Sequence, residues 1–370
     1  MAEKLELMKR NLSETLAQAS PGLPLSSQLF DDNHTKYFIS GLTSLPQFTH
    51  FETQKPWVLY WNLNGLAALQ NEDLLPPNIK KLLSDHLACL IQDSGAFGGS
   101  GKMEPHLLSS YAGVLAAVLL DREELWAKLD REKFKGFLKD MLIEPGKFVV
   151  NRHGEHDLRA NFAAIVIGDI LGFLDDPIFE NVAEQILKCQ TYEGGFGPIP
   201  NVEAHGGFTF CAIGALSLLK CLEKANVEKL TRWIVEKQTE FGGFCGRTGK
   251  LVDSCYSFWQ AANFNILRDY FANREDHRIS NLLYDIDGLQ RYILVACQSP
   301  KGGLRDKPGK PEDIYHSMYS LLGLSLSFSH EEPQRNFAVF EGELNTELHP
   351  VISVPVEKYL KAKAYFANKK

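Results

Sequence analysis

The chain has 370 residues, 44% of them hydrophobic and 23% charged, and a formal charge of −7 at pH 7. This is material for a large apolar core, and the acidic balance argues against a general nucleic-acid binder or a membrane-surface protein. The longest apolar runs, such as VLAAVLL at 114–120, are far too short to insert in a membrane; the odd count of seven cysteines and the polar start MAEKLELMKR predict a reducing, cytoplasmic setting with most cysteines as small core residues.

In chain order, residues 1–45 read as an N-terminal extension and residues 46–370 as a single domain. The first helical pair is PWVLYWNLNGLAALQ at 56–70, nearly apolar all round, then the more charged PPNIKKLLSDHLACLIQ at 76–92. A glycine-bearing turn then recurs: QDSGAFGG at 92–99, EPGKF at 144–148, QTYEGGFG at 190–197, QTEFGGFCG at 238–246 and QSPKGGLRD at 298–306. With Gly95, Gly146, Gly194, Gly242 and Gly302 as anchors, the intervals are 51, 48, 48 and 60 residues, and the longest holds the polar insert NREDHRIS at 273–280. Such a period marks a repeat architecture.

Eleven positions after the anchors stand His106, Asp157, His205, Asp253 and Asp313. Each opens an apolar run of about fourteen residues, such as LLSSYAGVLAAVLL or GGFTFCAIGALSLL, which predicts a helix buried on most sides. A charged helix, for example within 122–142, leads to the next turn. One such hairpin cannot bury its apolar face alone. Six inner–outer helical hairpins therefore predict an all-α fold, an α/α barrel (toroid) with the apolar helices inside. An open solenoid is the competing geometry, and the large aromatics on the inner helices favour a lined cavity and closure. Residues 328–352 show no helical period, and a helix near 355–367 would complete the set.

Within KLVDSCYSFWQ at 250–260, Asp253 and Cys255 are two apart. Residues two apart on a helix point to nearly opposite sides, so both reach one atom only if Asp253 precedes the helix, at the cap position the repeat gives it. Cys255 lies thirteen after its anchor and His316 fourteen after its own, in the first turns of neighbouring inner helices at one rim. Carboxylate, thiolate and imidazole with a fourth position open make a three-ligand zinc site of the catalytic kind. Taken singly, the same residues read as an N-cap, a core thiol and a hydrogen-bonded structural histidine, and no CxxC pair decides the matter.

Beside this cluster, Arg247 and Lys250 are three apart in a glycine-rich turn, His205 opens the preceding inner helix and Arg159 lies in the one before. With helix N-termini at the same rim they suit a phosphate or diphosphate; the plainer reading of Arg247 and Lys250 is solvated loop charge. Trp57, Trp61, Phe162, Phe208, Tyr256, Phe258 and Trp259 are either core or, beneath an anion site, the wall of a pocket for a long apolar tail. A metal-bound thiolate next to an allylic diphosphate points to S-alkylation.

PWVLYW at 56–61, the Gln–glycine turns, EAHGGFTFCAIGAL at 203–216, GRTGKLVDSCYSFWQ at 246–260 and GGLRDKPGKPEDIYHSMYSLLGLS at 302–325 carry a resemblance. From about residue 34 to 327 the chain is similar to the β subunits of protein prenyltransferases, the farnesyltransferases most of all. The resemblance implies a heterodimer with a helical-repeat α subunit. It implies transfer of farnesyl from farnesyl diphosphate to the cysteine of C-terminal CaaX motifs. It implies Asp253, Cys255 and His316 as ligands of one zinc ion, and His205, Arg247, Lys250 and Tyr256 around the diphosphate, the last two acting in catalysis. Arg159, Phe162, Phe208 and Trp259 match the isoprenoid wall, and Trp57, Trp61 and Tyr315 the meeting of peptide and lipid end. Asp306 matches an aspartate associated with Mg²⁺ in farnesyl enzymes, where type I geranylgeranyl enzymes have lysine. Asp306 and the bulk of Trp57 thus favour farnesyl. Phe162 and Phe208 stand where tyrosine is usual, which keeps an apolar wall and removes two hydroxyls that bear on lipid length or peptide choice.

The rival readings are a geranylgeranyltransferase β subunit of type I or the Rab type, and a non-catalytic helical-repeat scaffold in which Cys255 and His316 need not meet. A terpene cyclase needs a DxDD or DCTAE motif, and the sequence has neither.

Overall fold

At Gly194 and Gly302 the backbone is left-handed, with φ of +112° and +96°. A Cβ there would lie 2.2 Å from the Lys229 carbonyl oxygen and 2.3 Å from that of Asn33. Glycine is required on both counts, and its absence of side chain lets each turn dock against an outer helix. The computed structural model describes residues 9–10, 13–14, 28–44, 49–277, 284–328, 344 and 346–369.

The inner helices are α2 (Lys55–Ala68), α4 (Leu107–Leu120), α6 (Leu158–Ile170), α8 (Gly206–Leu218), α10 (Tyr256–Trp259) continued by α11 (Ala261–Ala272), and α13 (Ile314–Phe328). Outside them stand α1 (Asp31–Thr43), α3 (Pro77–Ala88), α5 (Arg131–Asp140), α7 (Val182–Leu187), α9 (Val227–Val235) and α12 (Ile286–Arg291). Each inner helix packs on the next, and α13 packs back on α2. The ring is closed, an α/α toroid and not an open solenoid. The five residues eleven after the anchors all cap inner helices: His106, Asp157, His205, Asp253 and Asp313 accept backbone N–H groups two or three positions on. Short ladders, β1 (Leu142–Glu144) with β2 (Lys147–Phe148) and β3 (Leu304–Arg305) with β4 (Glu312–Asp313), are the strands among the described residues.

The recurring glutamine has a structural cause. Gln190 exchanges two hydrogen bonds with the backbone of Asn226, the cap of α9, at 2.9 and 3.1 Å. Gln238 does the same with Asp285, the cap of α12, at 2.7 Å each. Gln298 accepts from the Phe30 N–H at 2.9 Å, and Phe30 precedes α1. The sixth outer position therefore belongs to α1, although residues 1–45 read as an extension; the packed ring reaches back to residue 31.

The helix expected near 355–367 is present as α14 (Val356–Ala367), but it does not stand beside α13. It lies against α4 and α6, where the Lys358 ammonium donates to the Leu119 carbonyl at 2.9 Å and the Tyr359 hydroxyl to Asp169 at 2.6 Å. Ahead of it, Val351, Ile352 and Val354 are buried and the Ser353 hydroxyl pairs with the Tyr60 hydroxyl at 2.7 Å. The patternless stretch thus ends as a floor across the barrel. Its residues 329–343 and 345, and residues 278–280 of the polar insert, lie outside the described residues. No helix among the described residues is long and apolar enough to cross a membrane.

Candidate active site

Gly323 brings α13 onto α10: a Cβ there would sit 2.4 Å from the Ser257 carbonyl. Ahead of the two helices, Ser254 bonds to the Arg305 carbonyl at 2.9 Å and to the Asp306 carbonyl at 3.0 Å, which holds their starts side by side. The ligand atoms of Asp253, Cys255 and His316 all lie within 4.8 Å of one another. Asp313 caps α13 and also accepts from His316 Nδ1 at 2.6 Å, which turns Nε2 towards Asp253 Oδ1 at 3.3 Å. Burial opposes charge on His316, but Asp253 and Asp313 outweigh it and push the imidazole up to about 9. Burial, then the Asp253 charge, push the Cys255 thiol far above its ordinary value. A buried thiol held against a carboxylate is poorly placed unless a cation lies between them, and a divalent ion reverses the sign of both effects. The sulfur, nitrogen and oxygen donors fit zinc.

On the α8 side, His205 Nδ1 accepts the Gly207 N–H at 3.1 Å, so its proton is on Nε2, which donates to the Tyr256 oxygen at 2.9 Å. The Tyr256 hydroxyl hydrogen is thereby left free to be donated elsewhere. Burial, then Arg247, lower the His205 pKa and keep the ring neutral at pH 7. Arg247 pairs with Glu203 at 2.9 Å, and Arg159 with Asp157 at 2.6 Å while lying 5.9 Å from the centre of the Phe208 ring. Lys250 is exposed on the same turn as Arg247. Asp306 forms an ion pair with Lys307, and its carbonyl accepts from Ser254 N–H at 3.0 Å, one residue from Asp253. Burial, then Asp253, raise its carboxyl pKa.

The inner wall is a closed circuit of aromatic rings. It runs Trp57, Tyr111, Phe162, Phe210, Trp259, Tyr319, Tyr315, Trp61 and back to Trp57, with successive centroids 4.5 to 5.8 Å apart. The Trp259 indole N–H donates to the Tyr315 oxygen at 3.1 Å, and the Tyr315 ring lies 5.1 Å from that of His316, so the wall reaches the donor cluster. A cavity of ≈ 660 Å³ is lined by Trp57, Trp61, His106, Leu108 and Arg159. Trp61, in its lining, packs on Tyr315 with ring centroids 5.7 Å apart.

Of the aromatics singled out in the sequence, Trp57, Trp61, Phe162, Trp259 and Tyr315 are in the circuit, whereas Phe208 packs on His205 and Phe258 is buried against Phe210 and Trp259. The sequence reading missed Tyr111, Phe210 and Tyr319, and gave His106 only as the residue that opens a helix, although it also lines the cavity. A signal existed: Tyr111, Phe162 and Phe210 each stand sixteen after their anchors, and Trp259 and Tyr319 seventeen.

Residues 29–354 match the family model of the prenyltransferase alpha-alpha toroid domain. The chain is 36% identical to the protein farnesyltransferase subunit beta of Schizosaccharomyces pombe, which covers 96% of each chain. It is 35% identical to the protein farnesyltransferase subunit beta of Arabidopsis thaliana over 80% of this chain and 72% of the relative. Among solved structures, Candida albicans protein geranylgeranyltransferase-I complexed with GGPP has a TM-score of 0.76 at 24% identity, covering 92% of this chain and 99% of that one, a likeness of fold.

Proposed function

The chain belongs to the protein prenyltransferase β subunits, and from that premise we propose that it is the catalytic β subunit of a zinc-dependent protein farnesyltransferase in the cytoplasm. Paired with an α subunit, it transfers farnesyl from farnesyl diphosphate to the cysteine of C-terminal CaaX motifs. The observation that carries this reading is the meeting of three metal-compatible donors at the rim of an aromatic barrel, within 4.8 Å of one another.

Asp253, Cys255 and His316 would hold zinc, which supplies acidification of the incoming peptide thiol. Asp313 orients His316. Negative charge grows on the leaving diphosphate as the carbon–oxygen bond breaks. Arg247 and Lys250 neutralise it, and Tyr256, its oxygen held by His205, donates to it. Asp306 is the proposed contact for Mg²⁺, in competition with Lys307. The aromatic circuit sheathes the isoprenoid and keeps water from the reacting carbon. Trp57 limits its depth, which favours farnesyl, and Phe162 and Phe208 offer an apolar surface with no hydroxyl to satisfy.

The test is co-expression with an α subunit, competition between farnesyl and geranylgeranyl diphosphates, and CaaX peptides ending in Met, Ser or Leu, with zinc quantified. Preference for farnesyl by a preparation holding one zinc is the expected result. Preference for geranylgeranyl would transfer the assignment to a type I or Rab-type β subunit, and a preparation that binds no metal and transfers nothing would leave only a helical scaffold.

A further inference from the structure

Lys237 follows α9 by two residues and is 3% exposed. Its ammonium lies 4.9 Å from the centre of the Trp233 ring and donates to Thr248 Oγ1 at 3.1 Å. Among the described residues no carboxylate pairs with it. Burying an ammonium without a counter-charge is costly, and lysine is almost never fully buried unless paired. The face of Trp233 and the carbonyl end of α9 offset part of that cost.

Its bond partner is informative. Thr248 lies between Arg247 and Lys250, on the turn proposed to grip the leaving diphosphate. The near end of the turn is fixed: the Gly206 N–H donates to the Gly246 carbonyl at 2.7 Å, and a Cβ on Gly246 would meet the Tyr256 ring at 2.2 Å. Beyond Gly246 the chain emerges, and residues 248–250 are exposed. Lys237 ties that stretch back to the barrel by its side chain, and its carbonyl accepts the Cys245 N–H at 2.9 Å, just ahead of the turn. Arg247 has Glu203 as a partner, whereas among the described residues the buried charge of Lys237 makes no ion pair.

We propose that Lys237 is a positioning residue of the anion site: it anchors the turn carrying Arg247 and Lys250 through Thr248, and adds its own charge to the field that receives a diphosphate. This rests on the functional reading above. The counter-ion of the buried ammonium is then the substrate itself, at one remove. Such an arrangement favours binding of a dianionic or trianionic group over a neutral one without placing a further cation in contact with it.

The test uses the full-length chain with its α subunit and inorganic diphosphate as the probe, measured as direct binding and as competition against farnesyl diphosphate. Lys237→Met removes anchor and charge, Thr248→Val removes the anchor alone, and Lys237→Arg keeps the charge. Lys237→Met is expected to weaken inorganic diphosphate about tenfold, the loss of one charge-assisted hydrogen bond. Its affinity should also fall less steeply with salt than that of the unsubstituted protein. Thr248→Val should weaken binding less and keep the salt dependence, and Lys237→Arg should restore most of the affinity. Zinc content and peptide KM should be unchanged throughout. Unchanged diphosphate affinity in both Lys237→Met and Thr248→Val would overturn the proposal, as would a Lys237→Met protein that is merely less stable with the same salt dependence. If Lys237→Met does not fold, the other two variants decide. An unsubstituted heterodimer that fails to bind inorganic diphosphate would sink the functional reading first, and this inference with it.

Discussion

At the rim, where the inner helices begin, polar groups converge without saturating one another. Asp253, Cys255 and His316 face a common point, the thiol is pushed up by its surroundings, and Arg247 and Arg159 are held by carboxylates near the surface. At the floor, where those helices end, most polar groups have a settled partner, the Asn64 Oδ1 being an exception. Ser353 bonds to Tyr60, Asn64 donates to the Ser353 carbonyl, and Asp169 receives both Tyr359 and Lys363 at 2.6 Å. One fold thus has an end that stores electrostatic tension and an end that relieves it. Tension of this kind persists only where the surrounding structure over-determines the residues, and there it serves chemistry.

Substitution should separate the two ends cleanly. The largest effect belongs to the rim. Cys255→Ala is expected to abolish zinc retention and lower transfer by at least about a thousandfold, roughly 4 kcal/mol of transition-state stabilisation. The thermal midpoint of the metal-free heterodimer should hold or rise, because the change removes a thiol that faces a carboxylate. Metal analysis, transfer kinetics and calorimetry on one preparation test this, and a large fall in stability with zinc retained would break the contrast.

The next effect belongs to the floor and to pH. His349 Nδ1 accepts the N–H groups of Val351 and Ile352 at 3.2 Å each, and so caps the turn that closes the barrel. Tyr359 packs on the ring at 4.7 Å, and Asp169 and Lys363 act on it with opposite signs. Burial lowers its pKa to about 4. Unfolded, it titrates near the ordinary histidine value of about 6.5. Between these values the unfolded chain binds more protons, so the His349 contribution is complete above about pH 6.5 and is lost as pH falls towards 4, by about 3 kcal/mol in all. The measurement is the difference between the wild type and His349→Gln in urea midpoint across that window; a pH-independent difference would contradict it. Tyr60→Phe, a smaller change at the same end, should cost about 1–2 kcal/mol through the lost Ser353 bond and leave the rate of farnesyl transfer unaltered.

The sequence disclosed more of the rim than of the floor, and the reason is physical. Rim residues belong to the repeat. A left-handed turn packed against a backbone admits only glycine, and a helix start demands a cap, so position eleven after each glycine had to be polar and Asp253 fell into place. Cys255 and His316, at thirteen and fourteen, inherit the same register. The aromatic wall obeys a register too, but its step from sixteen to seventeen between α8 and α10 hid Phe210 and Tyr319 among ordinary core residues. The floor has no register. Ser353 meets Tyr60 across 293 positions, and nothing local in residues 344–355 announces that contact. The closing role of α1 was hidden likewise, since it lies in a few contacts, Phe30 and His34 with Gln298 and Asn33 with the Pro300 carbonyl, that join opposite ends of the chain.

The smallest expected effect tests whether tension at the rim works against substrate binding. Glu203 holds Arg247 at 2.9 Å, with the two side chains 46% and 42% exposed. A pair that exposed is worth about 0–1 kcal/mol, so a diphosphate would displace it at little cost. Glu203→Gln should tighten inorganic diphosphate by no more than about fivefold, and the gain should shrink as salt rises. The matched change at the floor, Asp169→Asn, strands Lys363 and weakens the Tyr359 bond. It should therefore lower stability and leave diphosphate affinity where it was. If instead Glu203→Gln weakened diphosphate binding, Glu203 would be ordering Arg247 for its ligand, and the rim would be pre-organised where the contrast has it restrained.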